Sequence, residues 1–158
     1  INQSRIVTKA GSDLESAVEV VRTQAMSRNT YGWVTLEQQE DRLTLSGALS
    51  RNRSGVWAAA DPLVFLTPRH AANIRVVAVE SASGRPEVEE DARLTLEPGD
   101  TVRLRFNPRG EMNVEGKSRM KIVEVGLQQV INGVVRDPHD YAALQIRGLT
   151  GAAILYRP

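Results

Sequence analysis

Six cations crowd one stretch of this chain: Arg103, Arg105, Arg109, Lys117, Arg119 and Lys121. Period two places Arg103 and Arg105 on one face of a strand. Such guanidinium and ammonium groups can neutralise a phosphate backbone and release its counterions. Glu97, Asp100, Glu111 and Glu115 share the same stretch, so a solvated, ion-paired strand face competes with a polyanion site and is the favoured reading. Asp137, His139 and Asp140 bring oxygen and imidazole ligands into one loop, the donor types of calcium or a transition ion. Their spacing matches no established metal loop, and turn formation by Asp137-Pro138 is the expected role. His70 and His139 are the side chains suited to act as a base at neutral pH. Neither sits in a nucleophile elbow or a His-Glu-x-x-His pair. Glu89-Glu90-Asp91 is a charge run of the kind that solvates a loop, and no glycine loop suited to cradling phosphate occurs. Catalysis, a cofactor, a metal and a small-molecule substrate are therefore not expected. Trp33, Trp57, Tyr31, Tyr141 and Tyr156 have faces that could line a ligand groove in a β-sandwich module, but packing in the core or at a sheet rim is their commoner fate.

The elements that must position these residues are those of one domain, since 158 residues suit a single core. Hydrophobic residues at 41% and charged ones at 25% supply enough apolar surface to offset chain ordering. A net charge of +1 gives no whole-molecule attraction to nucleic acid or anionic lipid, so such binding would have to be local. Without cysteine there is no disulfide, thiolate metal site or cysteine nucleophile. No apolar stretch reaches the roughly 18–20 residues of a membrane span, and a chain opening on Ile1 reads as a trimmed or mature fragment.

Leu14, Ala17, Val18, Val21 and Ala25 recur at spacings of three and four, one apolar helical stripe over residues 12–28. Two starts compete. Ser12 followed by Glu15 fits a capping box, while Ile6, Val7 and Ala10 continue the stripe backward across Gly11 at a cost of about 1 kcal/mol. Asn29, with Tyr31 and Gly32 beyond it, ends the helix. Period two then takes over. Residues 33–36 and 43–45 form a hairpin about the polar run 38–41. Further strands are expected at 56–59, 63–66, 74–79, 94–96, 102–106, 120–125, 143–146 and 153–156. Loops are expected at 51–55, 80–91 and 132–141. One helix followed only by strands implies an α+β fold, with the helix laid against antiparallel sheet, two small sheets being expected.

The segment Arg22-Thr23-Gln24-Ala25-Met26-Ser27-Arg28-Asn29, entered through Leu14 and Ala17-Val18 and leading into a strand, resembles the helix that opens the globular part of GspH/FimT-type minor pilins and pseudopilins. Strand 102–106 followed by Asn107-Pro108-Arg109-Gly110 is similar to that family's strand ending in Phe-x-Pro-x-Gly. The ending 141–146, then Arg147-Gly148-Leu149-Thr150-Gly151 and a last strand, is similar to its closing hairpin. Residues 48–93 carry no such likeness. The resemblance implies a single pilin-like domain over 1–158, helical over about 4–29 and β-rich over 31–158. It further implies an apolar helix upstream that anchors the protein in the inner membrane, a periplasmic or pilus location, and other pilin or pseudopilin subunits as partners. The implied function is assembly of a type IV pilus or type II secretion pseudopilus. Some FimT-like pilins bind DNA through Gly-Arg-x-Arg near the C-terminus; here the matching positions read Gly151-Ala152-Ala153-Ile154, so DNA stands as the alternative, resting on the six cations named first.

Overall fold

The computed structural model describes residues 4–57, 63–80 and 84–158. The helix α1 (Arg5–Ser27) begins at the earlier of the two expected starts. Ser4 is extended, and its hydroxyl accepts from the N–H groups of Ile6 at 3.2 Å and Val7 at 3.4 Å. Ser12 is exposed in mid-helix, so the Ser12–Glu15 box does not form. The reason is tertiary: Val7, Ala10 and Gly11 have sheet to bury against, and that burial outweighs a local cap. Gly11, which looked like an interruption, is a site of close approach, because a Cβ there would lie 3.0 Å from Ala142 Cβ. At the other end Asn29 has φ 52. Asn29 N–H donates to Met26 O and Thr30 N–H to Ala25 O, the paired bonds of a Schellman stop.

The strands are β1 (Gly32–Gln39), β2 (Arg42–Ser50), β3 (Leu63–Phe65), β4 (Arg69–Ala72), β5 (Ile74–Val76), β6 (Arg93–Leu94), β7 (Thr101–Phe106), β8 (Met112–Val114), β9 (Ile122–Ile131), β10 (Val134–Val135), β11 (Tyr141–Arg147) and β12 (Ala153–Tyr156). They form two sheets. In the first, β1 lies between β2 and β7, β8 follows β7, and β3 and β4 both pair with β2. In the second, β9 carries β11 and then β12 on one side and β5 and β6 on the other, with β10 as its hairpin return. The expected antiparallel pairing holds throughout these ladders except between β6 and β9, which run parallel.

The 38–41 hairpin forms with Glu40 and Asp41 at its tip. Val56 and Trp57 lie outside any strand, and positions 58 and 59 of that expected strand fall outside the described residues. The expected strand at 120–125 starts at Ile122 and continues to Ile131. Its polar Gln128 and Gln129 are buried by neighbouring strands and not by any pattern of their own. The expected loop 132–141 holds β10, and Tyr141 already belongs to β11. Strands β4 and β8 had no sequence expectation.

One core joins the helix to both sheets: Leu14, Val18 and Val21 meet Leu36, Leu49, Leu104 and Phe106 of the first and Leu127, Leu144 and Ile146 of the second. Fully buried Gln38 brackets the two sheets. Its Nε2 donates to the carbonyls of Glu40, Arg42 and Ile74, and its Oε1 accepts from Val76 N–H at 3.1 Å. The chain ends are tied as well. Arg157 donates to Tyr141 O, to Asp140 Oδ1 at 3.0 Å and to Thr8 Oγ1 at 3.2 Å, while Asp140 Oδ2 accepts from Ser4 N–H at 2.7 Å.

Candidate interaction site

Three segments far apart in sequence meet beside the last turns of α1. Arg22, on the helix, donates from Nε to Thr150 O at 2.8 Å. Thr150 belongs to the 147–151 turn, closed by Gly151 N–H to Arg147 O at 2.7 Å. The 107–110 turn, closed by Gly110 N–H to Asn107 O at 2.9 Å, sits against it. Asn107 holds that turn from inside: its Oδ1 accepts from Arg109 and Glu111 N–H, and its Nδ2 donates to Glu111 Oε1 at 2.7 Å. Gly110 and Gly151 both have positive φ, 82 and 68. They also stand back to back, so a methyl group on Gly151 would run into Gly110 O, and one on Gly110 would come within 2.7 Å of Met26 Sδ. Glycine is required at both places, by conformation and by space.

The six sequence-named cations divide between two places. Arg103 and Arg105 do share a strand face, the side of the first sheet turned from the helix, and both are engaged there. Arg103 lies over the Trp57 ring at 4.2 Å and 3.8 Å from Glu115. Arg105 donates to Gly55 O at 2.9 Å and to Asn113 Oδ1 at 3.1 Å, and lies over the Tyr31 ring at 5.5 Å. Their work is to fasten the 51–57 loop across the sheet. Arg109, Lys117, Arg119 and Lys121 are exposed on turns. Arg119 is 3.4 Å from Glu111, and Lys117 donates to Asp91 O at 3.4 Å. The 117–121 turn adjoins the junction through Gly148, whose N–H donates to Lys121 O and whose carbonyl accepts from Met112 N–H. Arg147, exposed at the same junction, was not among the expected cations.

The other candidates are also placed. Asp140 is occupied by Ser4 N–H and Arg157, and Asp137 Oδ1 accepts from His139 N–H at 2.9 Å in the expected turn. No group of three metal-ligating side chains occurs among the described residues. His139 Nδ1 lies 3.0 Å from Glu80 Oε1. That hydrogen bond is the main reason its pKa is raised, with the charges of Glu80 and then Asp137 acting the same way against a small loss of hydration. His70 Nδ1 is 3.1 Å from Thr44 Oγ1, on an exposed edge.

The five aromatic residues do not line one groove. Trp33, Trp57 and Tyr31 form a cluster on the outer face of the first sheet, and Tyr141 and Tyr156 belong to another on the second. Trp33 and Tyr141 are buried. On that second face lies a polar cluster that sequence reasoning missed. Buried Arg85 pairs with buried Glu124 at 3.0 Å and covers the Tyr141 ring at 5.1 Å. Gln145 Nε2 bridges Glu124 Oε1 at 2.9 Å to Pro86 O at 2.8 Å. Arg85 and Glu124 are far apart in the chain and carry no local motif that could have signalled the pair.

Comparison with family models, with curated proteins and with solved structures returned no match.

Proposed function

We propose that this chain is a minor pilin or pseudopilin of the GspH/FimT kind, a subunit that works by associating with similar subunits in a type IV pilus or type II secretion pseudopilus. The observation carrying this reading is the junction of Arg22 with the 107–110 and 147–151 turns. The three stretches that resemble the family are the ones that meet there, although nothing in their local sequence requires it. The two faces of α1 also suit the role: one is buried in the core, while Arg5, Lys9, Glu19, Val20 and Thr23 face outward and are available to neighbours. On this reading the chemistry is association without turnover, and an apolar helix preceding Ile1 holds the protein in the inner membrane. The test is expression of the complete gene product with its neighbouring minor subunits, followed by affinity purification from detergent. Co-purification that is lost on Glu19→Arg with Val20→Glu, with the fold intact by circular dichroism, supports the reading. A product that has no apolar helix and purifies alone overturns it.

A second reading, local binding of DNA, is favoured by one observation. Exposed Arg109, Arg119, Lys121 and Arg147 stand on adjoining turns, with Glu111 the carboxylate engaged among them. Arg103 and Arg105 leave this set because they are spent on the 51–57 loop. Anisotropy of a labelled duplex at low salt should then weaken on Arg109→Glu with Lys121→Glu and fall steeply with added salt. Absence of binding at low salt removes the reading.

A further inference from the structure

We propose that the cleft between residues 87–92 and 117–122 binds an extended peptide segment of mixed charge, a site independent of the assembly reading. The cleft arises from the one parallel pairing among the described residues. Strand β6 joins β9 only at Arg93 with Glu124 and Leu94 with Val125, and upstream of those pairs the two segments splay apart. Each is pulled away by its own anchor. The first is drawn over the outer face of the second sheet by the Arg85–Glu124 pair and by Gln145 donating to Pro86 O. The second is drawn toward β8 by Lys117 N–H donating to Val114 O at 3.0 Å and by Arg119 with Glu111. A space of about 740 Å³ remains between them, within the range of sites that hold a small ligand.

The floor of the cleft is apolar, made by Val88, Ala92, Met120 and Ile122. Glu87, Glu89 and Asp91 stand on one wall and Lys117, Arg119 and Lys121 on the other. These opposite charges have not closed on each other. Glu87 is 3.7 Å from Arg93 and Arg119 is turned to Glu111. Among the described residues the contact across the gap is Lys117 Nζ to a backbone carbonyl, that of Asp91, at 3.4 Å. The walls are held apart by their separate anchors, leaving both signs available to a third party.

The edge of β9 adds a backbone signal. Lys121 O accepts from Gly148 N–H, on the β11 side. Alternation along the strand then turns the N–H and C=O of Ile122 the opposite way, into the cleft. Ile122 pairs with Arg147 on the β11 side, and β6 offers it no partner on the other. An incoming extended segment can pair with these groups as an added strand, seat an apolar side chain on the floor, and place a basic side chain toward the 87–91 wall and an acidic one toward the 117–121 wall. Opposite-sign walls select such a segment and reject one of uniform charge.

The experiment titrates three end-capped nonapeptides of equal length into the isotope-labelled protein and follows backbone amide resonances. One peptide carries lysines and glutamates about a central valine, one carries lysines only, and one carries glutamates only. The expected result is tightest binding of the mixed peptide, with the largest changes at Val88, Ala92 and Ile122. Lys117→Glu with Lys121→Glu, both on an exposed turn, should make the two walls acidic and transfer preference to the lysine peptide by roughly tenfold. The proposal is overturned if no peptide perturbs Ile122 at millimolar concentration, if the lysine peptide already binds the unmodified protein best, or if the ranking survives the charge reversal.

Discussion

At the scale of single residues, the costliest groups to disturb are the enclosed polar ones. Glu124 and Arg85 are both buried and each is the other's counter-charge, so Glu124→Ala leaves a guanidinium without compensation and is expected to cost about 3–5 kcal/mol. Replacing the two together, Arg85→Met with Glu124→Leu, should recover most of that loss. Urea unfolding of the single and double variants measures both. His139 behaves differently because it is fully exposed. Its folded pKa lies above the ordinary 6.5, so its contribution is fully present below the unfolded pKa and is lost as pH rises through the folded one. Proton NMR should place its titration above 6.5, and Glu80→Gln should return it toward that value. Neither cluster was legible in the sequence. Gln38 shows why: it read as part of a polar hairpin tip, yet all its side-chain hydrogen-bonding groups are taken by backbone from two sheets, and no local pattern announces contacts made so far along the chain.

At the scale of elements, periodicity recovered what depends on one segment alone. The stripe of α1, its stop at Asn29, the β1–β2 hairpin and the bounds of β12 all followed from spacing and turn residues. What spacing could not decide was set by neighbours. Two helix starts were locally plausible, and the earlier one prevails because Val7 and Ala10 find core to enter. The extent of β9 was hidden because strands on both sides bury its glutamines. Gly11 links the two kinds of information. Its lack of a side chain lets β11 approach the helix, so Gly11→Val should destabilise by about 1–3 kcal/mol through overpacking, despite removing a poor helix former. A lowered urea midpoint with unchanged slope is the expected observation. The candidate interaction site was half legible: the sequence named its three segments but not that they touch, and it grouped Arg103 and Arg105 with cations that lie elsewhere.

At the scale of the molecule, α1 makes a single core with both sheets, so neither sheet has an apolar face it can bury alone. A chain ending after residue 152, without β12, should leave part of that face open, detectable as increased binding of a hydrophobic dye and loss of a cooperative thermal transition. The clasp of Arg157 on Thr8 carries this further, because it joins nearly the first described residue to nearly the last. Synthesis delivers α1 well before its closing partner; at about 5–20 residues per second its greasy stripe waits on the order of ten seconds for cover. Whatever guards newborn chains in the cell must therefore shield this stripe until β12 and Arg157 have emerged to cover it.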